Sequence, residues 1–511
     1  MNNILKKLAF GVLILSCTFG YVYAQSHTSP APVEAGNTAG GGEASMNAVA
    51  HSESIGSVLP LWSVVPFALI LLAIAVLPLS FNHWWEKNRN KAIIAAALSI
   101  PVIIYLLCVA KPTGFHGYSF TALTGATIVM EHSHPLIHTM LEYVSFIILL
   151  GSLFVISGGI LIKGSFAGTP LVNTVFLAIG AVLASFIGTT GASMVLIRPL
   201  IRANSRRRDK AHIIVFFIFV VSNIGGLLTP LGDPPLFLGF LKGVPFDWTL
   251  KLWPQWAFTN GILLVVFNML DQYKFNKEDI ATPGALTEDV QPTVAQRLKI
   301  EGKRNILFLA GVVCAVYFSG SLNWAWGMQE AVMISMAVAS VIATRKEVRQ
   351  GNAFTYSPII EVAVLFAGIF ITMIPALLIL NARGSELGLK ATWHFFWGSG
   401  ALSSFLDNAP TYLTFTATAS GILGIDVSAN EASYVGKMLM DHRGILMLQA
   451  ISCGAVFMGA NTYIGNGPNF MVKAVSEENG VKMPSFFGYM AYSICILIPI
   501  FVLVTFVFFR N

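Results

Sequence analysis

Asp407 and Asp233 are the residues best placed to do chemistry. Each lies inside a long apolar stretch, where an acidic side chain is costly and marks a functional site. Asp407 stands in Phe405-Leu406-Asp407-Asn408-Ala409-Pro410-Thr411 and Asp233 in Thr229-Pro230-Leu231-Gly232-Asp233-Pro234-Pro235. Other oxygen-bearing side chains gather at similar interruptions: Thr189, Thr190 and Ser193; Ser222 and Asn223; Asn408 and Thr411; and Asn461, Thr462, Asn466 and Asn469. Carbonyl and side-chain oxygens suit a hard cation. A carboxylate in a dry site takes up a proton readily and a bound cation displaces it, so one aspartate can hold either H⁺ or Na⁺. That competition is the chemistry of an antiporter. Asp407 is the stronger candidate, because Asp233 also reads as the cap of a half-helix followed by two prolines. In a soluble chain the same Asn, Gly and Pro clusters would mark surface turns.

These residues need an apolar body to hold them, and composition supplies it. Of 511 residues, 55% are hydrophobic and 11% charged, less than half the roughly 25% charged share of a soluble protein. Apolar runs long enough to cross about 30 Å of hydrocarbon recur from Leu59 onward. An all-α polytopic membrane protein follows. The formal charge of +6 sits mostly in short loops, where it sets orientation, and implies no nucleic-acid partner. No cofactor is expected beyond Na⁺ as the transported ion.

Residues 1–24, with Lys6 and Lys7, an apolar stretch and Val22-Tyr23-Ala24, read as a cleavable signal peptide, and residues 25–57 as a disordered periplasmic linker. The mature N-terminus is then periplasmic and the protein belongs to the bacterial inner membrane. N-terminal spans follow in 58–130, at about Leu59–Leu79 and Ala92–Ala110. A first repeat covers 131–270: a span from Pro135, an apolar stretch Leu171–Ile201 with Gly188-Thr189-Thr190-Gly191 inside it, a broken helix over Ala211–Leu241 and a span at Trp253–Leu270. Cations flank both ends of Leu171–Ile201, so it should enter and leave on one face as a re-entrant hairpin, and such backbone is tolerated at membrane depth only where it lines a cavity. A cytoplasmic connector spans 271–305 and linking spans lie in 306–356. The second repeat, 357–511, runs span, hairpin (Trp393–Leu423), broken helix (Ile445–Val475) and span (Phe486–Phe509). The two copies start on opposite faces, the signature of inverted repeats whose discontinuous elements meet at a midplane site.

Glu142 and Glu361 stand near span starts, as interfacial acids or as working groups. His134 and His138 share a helical face and, with Glu131 and His132, have a spacing compatible with a metal, or are wet interfacial histidines. Nothing resembles His-Glu-x-x-His in a span, which argues against an intramembrane enzyme.

Ser404-Phe405-Leu406-Asp407-Asn408-Ala409-Pro410, Ser222-Asn223-Ile224-Gly225-Gly226 with Gly232-Asp233-Pro234-Pro235, and Thr462-Tyr463-Ile464-Gly465-Asn466-Gly467-Pro468-Asn469 resemble the NhaD-type sodium:proton antiporters and their citrate-transport relatives. The broad ion-transporter superfamily that holds them also includes arsenite exporters and dicarboxylate carriers. The likeness covers about Glu131 to Phe509. It implies a homodimeric scaffold, a mobile transport domain and Na⁺ ligands among Ser222, Asn223, Asp407, Asn408, Asn461 and Thr462. Sodium-coupled carboxylate carriers of the superfamily have a Ser-Asn-Thr triplet at each hairpin tip; this chain has Thr189-Thr190-Gly191 and Asp407-Asn408-Ala409. An aspartate at a tip favours a cation over a dicarboxylate, with cation-coupled citrate transport as the alternative.

Overall fold

The computed structural model describes residues 55–112, 118–121, 127–130, 134–164, 168–281, 299–322, 324–427 and 433–510. The expected signal peptide, all but the last three residues of the linker, Glu131 and His132, and most of the connector lie outside them. Nine helices among the described residues are long and apolar enough to cross a membrane. The protein is an all-α multi-pass membrane protein, with only short strands beside the helices: Ala110–Pro112, Tyr118–Thr121 and Thr127–Met130 in one antiparallel sheet, and Leu161–Lys163 paired with Lys299–Glu301 in another.

In chain order the main helices are α1 (Val65–Ser80), α2 (Asn88–Val109), α3 (Pro135–Ser157), α4 (Pro170–Ile187), α5 (Thr189–Ala203), α6 (Ala211–Val220), α7 (Pro234–Leu241), α8 (Trp253–Ala281), α9 (Arg304–Leu322), α10 (Met328–Ala343), α11 (Ser357–Arg383), α12 (Thr392–Ser403), α13 (Asn408–Ile422), α14 (His442–Met458), α15 (Gly467–Glu478) and α16 (Phe486–Phe508).

Both expected hairpins are helix pairs broken at the expected place. Gly188 separates α4 from α5 at φ +78, a left-handed conformation that a residue with a Cβ resists. Residues 404–407 separate α12 from α13. Both broken helices are observed too. Between α6 and α7 the chain makes one 3-10 turn, Ile224–Leu228, and between α14 and α15 another, Gly459–Asn461. Each second half opens with proline in its first turn, where the missing N–H costs nothing.

Burial separates centre from rim. α6 is buried along nearly its whole length, with Phe216, Phe217, Phe219 and Val220 fully enclosed, as expected of a helix apolar on every face. α1 and α2 instead expose Leu69, Leu72, Ile93, Ile100 and Ile104, a surface suited to hydrocarbon. Between them α3 and α11 pack face to face, with Phe146 stacked on Phe366 at 5.0 Å and Tyr143 donating to the Ala363 carbonyl at 2.7 Å.

The connector is shorter than expected, because α8 continues through Asp271 to Ala281. The reason is a polar network: Asp271 accepts from Arg207 at 2.8 Å and from Asn173 at 3.0 Å and bonds His212 at 2.9 Å, while Arg207 also reaches Glu278 at 3.0 Å. These bonds tie the end of α8 to the first hairpin.

Removing one partner of such a buried pair leaves the other charge uncompensated, a loss of about 3–5 kcal/mol. Arg207→Met should therefore lower the melting temperature of the purified protein markedly. Asp209→Asn, which removes a more exposed pair with Lys274, should cost about 0–1 kcal/mol. Equal melting curves for the two variants would refute the structural role of the Arg207–Asp271 pair.

Candidate functional site

The two breaks share one local design. Thr229 and Thr462 each stand four residues ahead of the residue that caps the second half-helix. The Thr229 hydroxyl donates to the Ser185 carbonyl at the end of α4, and the Thr462 hydroxyl to the Ser404 carbonyl at the end of α12. The same hydroxyls accept backbone N–H groups, from Leu231 at 3.2 Å and from Ile464 at 3.3 Å. Gly226 packs against Gly232 and Gly459 against Gly465, so closely that a methyl on Gly232 would strike the Gly226 carbonyl. Leu236 N–H bonds the Asp233 carbonyl and Asn469 N–H the Asn466 carbonyl, both at 3.1 Å.

Asp233 and Asn466 are therefore equivalent caps of α7 and α15. Neither side chain caps its own helix; both turn inward and meet. The Asp233 carboxylate, 1% exposed, accepts from Asn408 Nδ2 at 2.7 Å, Thr189 Oγ1 at 3.1 Å and Asn466 Nδ2 at 3.3 Å. Thr189 and Asn408 are the first helical residues after the two hairpin tips. One carboxylate is thus held from both hairpins and both breaks.

The network continues outward. Asn466 also donates to Asn223 Oδ1 at 3.2 Å and the Ser222 carbonyl at 3.3 Å, Asn223 donates to Asn469 Oδ1 at 2.7 Å, and Ser193 and Ser222 share a hydrogen bond of 2.8 Å. Asn469 donates to the Gly459 and Thr462 carbonyls, both at 2.9 Å. Asn461 donates to Ser404 Oγ at 2.9 Å, while its buried Oδ1 has no donor.

Asp407 has the role expected of Asp233: it is half-buried and caps α13, accepting from Ala409 N–H at 3.1 Å. It lies near enough to Asp233 for the two charges to interact. Thr411 donates back to the Asp407 carbonyl at 3.1 Å, and Thr190 stands half-buried outside the network. Among the described residues no Lys, Arg or His forms an ion pair with either aspartate.

Ser185 and Ser403 escaped sequence reasoning. Ser185 donates to the Gly225 carbonyl at 2.6 Å, and Ser403 donates to Asn408 Oδ1 at 2.6 Å, orienting its amide N–H₂ toward Asp233. A serine in an apolar helix carries no such signal by itself, although the matching positions of Thr229 and Thr462 could have pointed to the carbonyls they bond.

Glu142 and Glu361 lie elsewhere in ion pairs, Glu142 with Lys242 at 2.6 Å and His138 at 3.2 Å, and Glu361 with Lys91 at 2.7 Å. His134 caps α3, its Nδ1 accepting from Leu136 N–H at 3.2 Å. Among the described residues no three His, Cys, Asp or Glu side chains gather as a metal cluster.

Discontinuous helices meeting around one enclosed polar site, in a body of membrane-crossing helices, define a secondary transporter. The chain belongs to the family described as Putative citrate transport, which it matches over residues 56–509. No curated protein matches the chain.

The glycine contact across the first break is testable. Gly232→Ala should force the Gly226 carbonyl aside at an overpacking cost of about 1–3 kcal/mol, seen as a lower melting temperature and lost transport, whereas Gly467→Ala, with open space at its Cβ position, should leave the melting temperature nearly unchanged. A Gly232→Ala protein that melts like the parent would show that the close approach does not matter.

Proposed function

We propose that this transporter exchanges Na⁺ for H⁺ at Asp233. The observation that carries the reading is a carboxylate 1% exposed whose hydrogen-bond partners are all neutral: Thr189, Asn408 and Asn466. An ionised carboxylate in a dry interior needs a counter-charge. With no cationic side chain paired to it among the described residues, a proton or a cation must serve, and the two compete for one place. Asn461 Oδ1, buried without a donor, and the oxygens of Asn223, Ser222 and Asp407 are further acceptors suited to Na⁺. Asp407 then lends negative charge and caps α13, a lesser role than its sequence context suggests.

The matched hydrogen bonds of the two breaks support reading the halves as inverted copies. That makes a topological expectation: single cysteines at Arg208, just after the first hairpin, and at Lys390, just before the second, should react with an impermeant thiol reagent from opposite sides of the membrane. Labelling from the same side would defeat the inverted arrangement.

Cation-coupled citrate transport is the second reading, and family membership favours it. Against it, a tricarboxylate at this site would face Asp233 and Asp407, with which no Lys or Arg among the described residues is paired.

Proteoliposomes separate the two. Na⁺-driven proton movement should be seen without citrate, and Asp233→Asn, which keeps size and most hydrogen bonding, should abolish it in a protein that still folds. Asp407→Asn should weaken exchange by a smaller factor. Na⁺ at 100 times its dissociation constant should stabilise the parent by about 2.7 kcal/mol and the Asp233→Asn protein far less. Labelled citrate uptake with no proton exchange would reverse the order of the two readings, and full exchange by Asp233→Asn would remove that carboxylate from the mechanism.

A further inference from the structure

A cavity of about 530 Å³ opens beside the far end of α7 from Asp233, between that end and helices α3, α9 and α10. Its size is that of a small-molecule site, and its two sides differ in chemistry. One side is aromatic: Phe240, Phe246 and Tyr317 form an edge-to-face series with ring centres 6.5 and 5.6 Å apart, joined by Trp324 and Trp326. The other side is polar and carries an unmet requirement.

It is Glu330, 3% exposed. Its oxygens accept from Ser145 Oγ at 2.6 Å and from Gly327 N–H at 3.0 Å, both neutral donors. Glu142 also lines the cavity but is balanced by Lys242 at 2.6 Å; Glu330 has no cationic partner among the described residues. An ionised carboxylate in a dry interior needs a counter-charge, and here one borders a space walled by rings, which attract cations.

We propose that this cavity is a second ligand site, distinct from the exchange site, for a small organic ammonium group. The ammonium sits against Glu330 and the aromatic side. That chemistry is shared by free amino alcohols and by the ethanolamine headgroup of a lipid.

Titration calorimetry of the purified full chain in detergent, with ethanolamine as probe, tests it. Saturable binding is expected, and none is expected for ethanol, which lacks the ammonium. Glu330→Gln, which preserves an acceptor for Gly327, should weaken binding roughly tenfold or more, and Trp326→Leu should weaken it through the aromatic side. Asp233→Asn should leave all of this unchanged while abolishing exchange, so the two sites fail independently. In nanodiscs, unchanged ethanolamine binding when phosphatidylethanolamine is present identifies a water-borne ligand, and binding suppressed there but restored in phosphatidylglycerol discs identifies the lipid headgroup. No saturable binding of any amine, or binding indifferent to Glu330→Gln, overturns the proposal.

Discussion

One buried carboxylate sets the terms for the middle of this protein. A charge taken from water into an apolar interior must be matched, and among the described residues Asp233 is matched by neutral donors, Thr189, Asn408 and Asn466. The carboxylate and its three donors all lie where the helices are interrupted: Asp233 and Asn466 at the breaks, Thr189 and Asn408 at the hairpin tips. The breaks in turn expose backbone groups that water would otherwise bond, and in the apolar interior each unsatisfied group is costly. The structure answers with side chains: Asn469 bonds the Gly459 and Thr462 carbonyls, Tyr489 the Ala460 carbonyl at 2.8 Å and Ser493 the Asn461 carbonyl at 2.7 Å. The many small polar residues of these segments are a consequence of the interrupted backbone as much as of any ligand.

Charges that are not needed at the centre are paired where elements must be fixed. Lys91 and Glu361 join α2 to α11, Lys242 and Glu142 join the end of α7 to α3, and Arg207 joins the end of α5 to α8 through Asp271. The Lys242–Glu142 pair matters for the site because α7 is one short rigid rod. Asp233 caps one end and Lys242 the other, so the pair that holds Lys242 also fixes where Asp233 can sit.

Much of this was legible in the sequence, for reasons that differ by residue. Tandem prolines at 234–235 and the glycine and asparagine run at 459–469 cannot continue a helix, so the breaks could be placed closely. Hairpin ends were legible because charge stops at the membrane surface. The roles of the two aspartates were not, because both satisfy the same local rule: a carboxylate just ahead of a helix. Which one caps and which turns inward depends on what lies opposite. Asp407 finds Ala409 N–H within reach, whereas Pro234 and Pro235 carry no N–H and the next donor, Leu236 N–H, goes to the Asp233 carbonyl. The Asp233 carboxylate turns instead to partners across the site. Part of that inference was open in principle, since the tandem prolines leave Asp233 fewer N–H groups to cap. The reach of α8 to Ala281 was hidden for another reason: its partners Arg207 and His212 lie far away in the chain.

The equivalence of Asp233 and Asn466 explains why the site carries one central charge. Two aspartates at these caps would set two carboxylates within hydrogen-bond reach, and like charges so close in a dry interior cannot both ionise. Two asparagines would leave no ionisable group at the crossing. One of each gives a carboxylate and, opposite it, an amide that donates to it at 3.3 Å and passes the contact on to Asn223 and Ser222. The same division appears at the tips, where Thr189 and Asn408 hold equivalent positions and both donate to Asp233. The two halves therefore share a backbone design and differ in side chain at the point where they meet. That difference leaves one carboxylate, held by three neutral donors, where the two halves meet.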